Sequence, residues 1–231
     1  MKPTNNFKPI LFNTEMVQAI LAGRKTQTRR VIKADFPENS TFIGCRETLG
    51  KSGVGFYWCD GTTGPTQGFF PGLFEDLYPK YEIDHILWVK ETFYEPLFEG
   101  LNGAYYYKAD LEKQGWKFKW KPSLLMPKEA ARIFLKVTNV RCERLNDISE
   151  EDAIAEGCKS VKHYHSGKLI YKDFLYYTKN PRSENGFVNT AKISFETLWD
   201  SINAKKHPWE SNPWVWVYDF ERIEKPENFL S

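Results

Sequence analysis

Three arginines, one lysine and two threonine hydroxyls lie together in Gly23-Arg24-Lys25-Thr26-Gln27-Thr28-Arg29-Arg30, with no acid among them. Such a cluster can hold an anion or a polar planar substrate, because guanidinium groups fork paired acceptors. It can equally be a basic segment that complements a helix dipole. A second position is chemically out of place. Glu156 falls just before Gly157, at the end of a segment that opens with Ser149, Glu150, Glu151 and Asp152. If that segment is a helix, the three early acids serve its favourable end. Glu156 then faces the negative end, at a cost of a few tenths to about 1 kcal/mol. Departures from local consistency collect at functional sites; a solvated glutamate is the plainer alternative.

The elements that must position these residues are legible in outline. Lys8 to Phe12 reads as an opening strand. In Thr14–Ala22 the apolar Met16, Val17, Ile20 and Leu21 recur at helical period, with Asn13 or Thr14 as cap. Gly23 suits the left-handed position that ends such a helix. Ile86 to Tyr94 reads as a strand, Ala104 to Lys108 as another, and Arg132 to Val140 as a third with Ile133, Leu135 and Val137 on one face. Trp116-Lys117-Phe118-Lys119-Trp120-Lys121 alternates aromatic and lysine, which predicts a strand with a basic face. Its lysines either discourage edge-to-edge pairing or track a phosphate backbone beside stacking rings. Ser194 to Ile202 reads as a helix whose core stripe is Phe195, Leu198, Trp199 and Ile202. Trp214 to Phe220 is apolar on both faces over most of its length, which places it at the centre of a sheet or in a small barrel. Residues 34–80 and 158–190 read as insertions, the first irregular or hairpin-bearing, the second with little periodicity. Many strands and few helices predict an α+β chain built on a mixed barrel.

Composition narrows the chemistry. The chain of 231 residues is 41% hydrophobic and 27% charged, enough to bury a core. A formal charge of +2 leaves nucleic-acid attraction to local patches. Contacts with about three to five phosphates predict a log–log salt slope near −2 to −4. No long apolar run or signal-peptide core is present, so a cytoplasmic protein without membrane contact is expected. The four cysteines form no C-x-x-C pair, and His163 and His165 near Cys158 read as a solvated loop rather than a metal cluster. Neither glycine-rich phosphate motif occurs, so no metal and no cofactor is expected.

Several blocks together resemble the ASCH-domain proteins carried by phages and prophages. They are Lys8-Pro9-Ile10-Leu11-Phe12, the Gly23–Arg30 run, Leu87-Trp88-Val89-Lys90-Glu91-Thr92, Lys121-Pro122-Ser123 with Met126-Pro127, Ile148 to Gly157, and Asn212-Pro213-Trp214-Val215-Trp216-Val217. The resemblance implies one ASCH/PUA-like domain over residues 1–231, a mixed β pseudo-barrel flanked by short helices, interrupted by the two insertions. It also implies recognition of RNA or a modified nucleoside, in the cytoplasm of a bacterial or phage-infected host cell. Small bacterial members of that superfamily are amidohydrolases that deacetylate N4-acetylcytidine. Their catalytic lysine, threonine and glutamate match Lys25, Thr28 and Glu156.

Amide hydrolysis needs a nucleophile, a proton donor for the leaving amine and a hold on the oxyanion. Thr28 can attack or orient a water, Lys25 can act as base, and Glu156 can protonate the amine or orient the lysine. The neighbouring Arg24, Arg29 and Arg30 disfavour a charged Lys25, whereas the helix end favours it. Arg29 or Arg30 can hold the oxyanion or a phosphate, and Trp88 or Trp216 can stack a base. Glu91 is a second cleft carboxylate or a solvent-facing strand residue. Lys117, Lys119 and Lys121 extend the basic surface. Two other functions fit the same residues: a binding module without turnover, and a ribonuclease using Lys25 and Glu156 as acid and base.

Overall fold

A strand with apolar side chains on both faces runs through the middle of the molecule and sorts the rest into two sides. The structure, a computed structural model, describes residues 6–33, 41–47, 54–59, 79–96, 105–111, 118–165, 168–175, 177 and 186–230. In chain order these form β1 (Phe7–Leu11), α1 (Thr14–Leu21), β2 (Gln27–Val31), β3 (Thr41–Glu47), β4 (Val54–Cys59), β5 (Ile86–Lys90), β6 (Phe93–Tyr94) and β7 (Tyr106–Tyr107). There follow α2 (Lys108–Leu111), β8 (Phe134–Arg144), α3 (Glu150–Ala155), β9 (Ser160–His165), β10 (Lys168–Leu175), β11 (Phe187–Val188), α4 (Ala191–Asn203) and β12 (Trp214–Ile223). The main sheet has the order β1-β5-β8-β12-β2, with β1 and β5 parallel and the other pairs antiparallel.

Period two explains the two-sided packing. On one face of β12, Trp214, Trp216 and Tyr218 join Val17 and Ile20 of α1 in one core. On the other, Val215 and Val217 join Phe195 and Trp199 of α4, Ala153 of α3 and Phe174 of β10. The strand is central because each face has its own helical cover. The helices start where side chains satisfy their free amides. Asn13 accepts from the Met16 amide at 2.8 Å, and Ser149 from the Asp152 amide at 3.1 Å. Thr190 caps α4 together with the Glu150 carboxylate, which reaches across from α3 to the Ala191 amide at 2.7 Å.

The chain is α+β and dominated by sheet, but the described strands do not close a barrel. The edge strands β1 and β2 meet through side chains: Arg30 of β2 donates to the Leu11 carbonyl of β1 at 3.0 Å. No helix among the described residues is long and apolar enough to cross a membrane.

Several local expectations need correction. The strand expected over Ile86–Tyr94 breaks after Lys90, where the Glu91 amide turns to the Met126 sulfur at 3.1 Å. The strand expected over Ala104–Lys108 covers Tyr106–Tyr107 before α2 begins. Residues 118–120 form no strand, and Lys121 makes an isolated bridge to Phe93. Phe118 and Trp120 pack locally, 5.2 Å apart, with Tyr94 4.9 Å from Phe118, so their alternation serves an aromatic cluster rather than a sheet. Trp116 and Lys117 lie outside the described residues. The second insertion holds the antiparallel strands β11-β10-β9, which lack the apolar alternation that reveals strands in sequence. Within the first insertion β3 and β4 pair antiparallel. Ile202 is 47% exposed rather than core.

Candidate functional site

Two glycines and one short bridge bring residues 131 positions apart into contact. Gly23, at φ +68°, turns the chain out of α1, and the amides of Arg24 and Lys25 fold back onto the Ala19 carbonyl. Lys25 then pairs with Glu156 as an isolated antiparallel bridge, supported by the Thr26 amide donating to the Ala155 carbonyl at 2.8 Å. The approach depends on Gly157. At φ +96°, a Cβ there would lie 3.0 Å from the Cβ atoms of both Ala19 and Lys25. The end of α3 therefore docks directly on the end of α1.

This contact also accounts for the awkward position of Glu156. Its Oε2 accepts from Lys25 Nζ at 2.6 Å, and its Oε1 from Arg29 at 3.2 Å. Lys25 Nζ also donates to the Glu156 carbonyl at 2.9 Å. Two cations thus offset the unfavourable helix end. Lys25 is 3% exposed and Glu156 6%. Burial holds the Lys25 amine below its ordinary range although Glu156 pulls upward, with Arg30 adding to the depression. The sequence pointed to neighbouring arginines; desolvation is the larger cause.

The run is not short of acids in three dimensions. On β2, Gln27 and Arg29 face the same side as Asp219 of β12 and Arg141 and Glu143 of β8. Arg29 bonds Gln27 and pairs with Glu143 and with Asp152 of α3, the last at 3.1 Å. Arg141 pairs with Asp152 at 2.7 Å and Asp219 at 2.8 Å, and Asn139 donates to Asp219 at 2.9 Å. Burial would raise the Asp152 pKa, but Gln27, Arg141 and Arg29 together hold it below the usual range. Arg29 is spent on this lattice and on orienting Glu156.

Thr28 and Arg30 point the other way. A cavity of about 80 Å³ lies along the free edge of β2, with Lys25, Thr28, Arg29, Arg30 and Glu156 on its polar side. Met16, Val31, Phe195, Leu198, Trp199 and Ile202 form its apolar side. Its volume has room for several waters or part of a flat ligand. Thr28 is 2% exposed, lines the cavity, and its hydroxyl has no side-chain or backbone partner among the described residues. The hydroxyl is therefore open to the cavity and available to whatever occupies it. Cys158 lies beside the pair, but burial pushes its thiol up to about 12, which removes it as a nucleophile near neutrality.

The remaining expected site residues lie elsewhere. Arg24 donates to the Gly157 carbonyl at 2.7 Å and stays outside the cavity lining. Trp88 packs on Phe229, ring centroids 6.0 Å apart, and Trp216 is core. Glu91 is buried, but it faces Arg132, which forks its two oxygens at 2.8 and 3.0 Å. Burial raises the Glu91 pKa in spite of that fork. Lys119 is exposed and Lys121 pairs with Glu95 at 2.8 Å, both away from the cavity lining. Sequence reasoning missed Glu143, Asp152 and Asp219 and the apolar wall from α4. Asn139, Arg141 and Glu143 do alternate with Val140 and Cys142, the period-two signal of a strand that continues past Val140.

Comparison with family models, curated proteins and solved structures finds no match for the chain. Among the described residues no group of three or more His, Cys, Asp or Glu side chains could hold a metal ion.

Proposed function

We propose that the chain is an amidohydrolase that removes an acyl group from the exocyclic amine of a cytidine-type nucleoside, with Thr28 as nucleophile, Lys25 as base and Glu156 as acid. One observation carries the reading: a threonine hydroxyl with no protein partner among the described residues opens on the same cavity as a buried Lys–Glu pair. The resemblance to ASCH-domain amidohydrolases supports the same three roles.

The chemistry balances within these groups. In the reacting complex one proton moves along the 2.6 Å contact, leaving Lys25 a neutral amine and Glu156 a carboxylic acid. Thr28 Oγ attacks the acyl carbon and its proton passes to Lys25. As the carbon–nitrogen bond breaks, Glu156 gives its proton to the leaving amine. Water then attacks the threonyl ester and yields a proton to Glu156, while Lys25 returns one to Thr28. The products are a carboxylic acid and the free amine, and the pair is restored.

A binding module without turnover is favoured by one feature: both Glu156 oxygens are occupied at rest. The ribonuclease reading fits less well, because Lys25 and Arg29 are already neutralised by acids and offer a phosphodiester little. Mass spectrometry of N4-acetylcytidine incubated with the protein separates these readings. Cytidine and acetate are expected. Unaltered nucleoside that nonetheless binds would promote the binding module.

A further inference from the structure

Arg30 differs from its neighbours in having no carboxylate. Lys25 is paired with Glu156, and Arg29 with Glu143, Asp152 and Glu156; among the described residues no acid pairs with Arg30. Its guanidinium lies 5.4 Å from the centre of the Phe12 ring, the ring that the Lys25 amine also approaches, at 5.8 Å. One N–H donates to the Leu11 carbonyl at 3.0 Å. A guanidinium carries five N–H donors, and the half-buried Arg30 lines the cavity, so donors not bonded to Leu11 are open to a ligand there.

Position on the strand gives the site a ruler. Thr28 and Arg30 are two residues apart on β2, so they share a face and their Cα atoms are separated by about 6–7 Å. That is the span of one six-membered heterocycle bearing an exocyclic amide. With an acyl carbon at Thr28, the far edge of the ring falls at Arg30.

Resting on the amidohydrolase reading, we infer that Arg30 recognises the leaving group by forking a carbonyl oxygen and the adjacent ring nitrogen of a planar heterocycle. The substrates are then N-acylated aminopyrimidinones, and N-acylated anilines of the same size, which lack the acceptor pair, are discriminated against. The fork also acts on the reaction. Charge that flows into the ring as the carbon–nitrogen bond breaks collects on those two acceptors, where Arg30 holds it.

The test compares wild type with Arg30→Gln on N4-acetylcytosine and unsubstituted acetanilide, with the Thr28→Val rate subtracted as background and thermal melts run alongside. Arg30→Gln is expected to lose about tenfold to a hundredfold in kcat/KM on N4-acetylcytosine and to change less than about twofold on the anilide. Equal losses on both amides, or no loss on either, overturn the inference. Calorimetric titration with cytidine reads recognition without turnover. If wild type hydrolyses neither amide yet binds cytidine at least tenfold more tightly than Arg30→Gln, hydrolysis fails and recognition by Arg30 stands. Cytidine binding unaffected by the substitution, or displacement of cytidine by inorganic phosphate only when Arg30 is present, overturns it; the second result would make the residue an anion site.

Discussion

At the scale of single residues, the buried Lys25–Glu156 pair makes linked predictions about pH and stability. Burial places the Lys25 pKa below 10.5 in the folded chain, so the unfolded chain binds more protons between the two values. Stability therefore rises with pH across that window. Denaturant titrations should show this slope in wild type and lose it in Lys25→Met. Turnover should fall as pH rises through the same depressed pKa, since the pair must keep one proton for Glu156 to give the leaving amine. Glu156→Gln removes the acid and the charge that raises the Lys25 pKa, so its residual activity should instead rise with pH, through a Lys25 pKa lower still; a falling limb kept in the variant would assign it to another group. Substituting either partner should also destabilise the fold by about 3 kcal/mol, because the other is left buried. Neither residue joins an apolar stripe in the sequence. Burial of a charged residue by a partner 131 positions away leaves no local mark. The misplaced carboxylate before Gly157 was the visible trace, and it was legible only as a broken rule.

At the scale of elements, the site exists because the end of α3 reaches the end of α1, and Gly157 sets that distance. Gly157→Ala meets a backbone at φ +96° and two Cβ atoms at 3.0 Å. It should cost about 1–3 kcal/mol in strain and separate Lys25 from Glu156, lowering turnover far more than a loss of stability explains. A melt shifted down with full activity would show that the docking does not matter. The caps of α1 and α3 were readable because capping and period 3.6 are local, whereas α4 starts at Ala191, three residues before the expected Ser194. Over 118–121 the strand was misread because strict alternation can serve a local cluster: Phe118 packs on Trp120 and on Tyr94. The hairpin of β9 and β10 was missed for the opposite reason, its pairing having no apolar period behind it. Glu150 was read as a helix-dipole acid, yet its carboxylate caps the next helix.

At the scale of the whole molecule, β12 carries two cores, and the polar lattice of Arg29, Arg141, Glu143, Asp152 and Asp219 lies on one of its sides. That lattice absorbs charge the sequence left free. Binding to single-stranded RNA should accordingly be shallow, with a log–log salt slope of about −1 to −3 rather than the −2 to −4 expected when Arg29 was counted. A steeper slope would point to a basic surface beyond Arg24, Arg30 and Lys119. The two-faced final strand was legible as central, but the open seam between β1 and β2 was not, since pattern alone does not show whether a sheet closes. The cavity lies between the edge of β2, α1 and α4, and the central claim is that Thr28 does chemistry there. Thr28→Val tests it most directly, because it keeps the shape and removes a hydroxyl with no partner to lose. Measured on N4-acetylcytidine beside a thermal melt, it should abolish turnover by about a thousandfold or more with an unchanged or higher Tm. Turnover retained by the folded Thr28→Val variant would contradict the account.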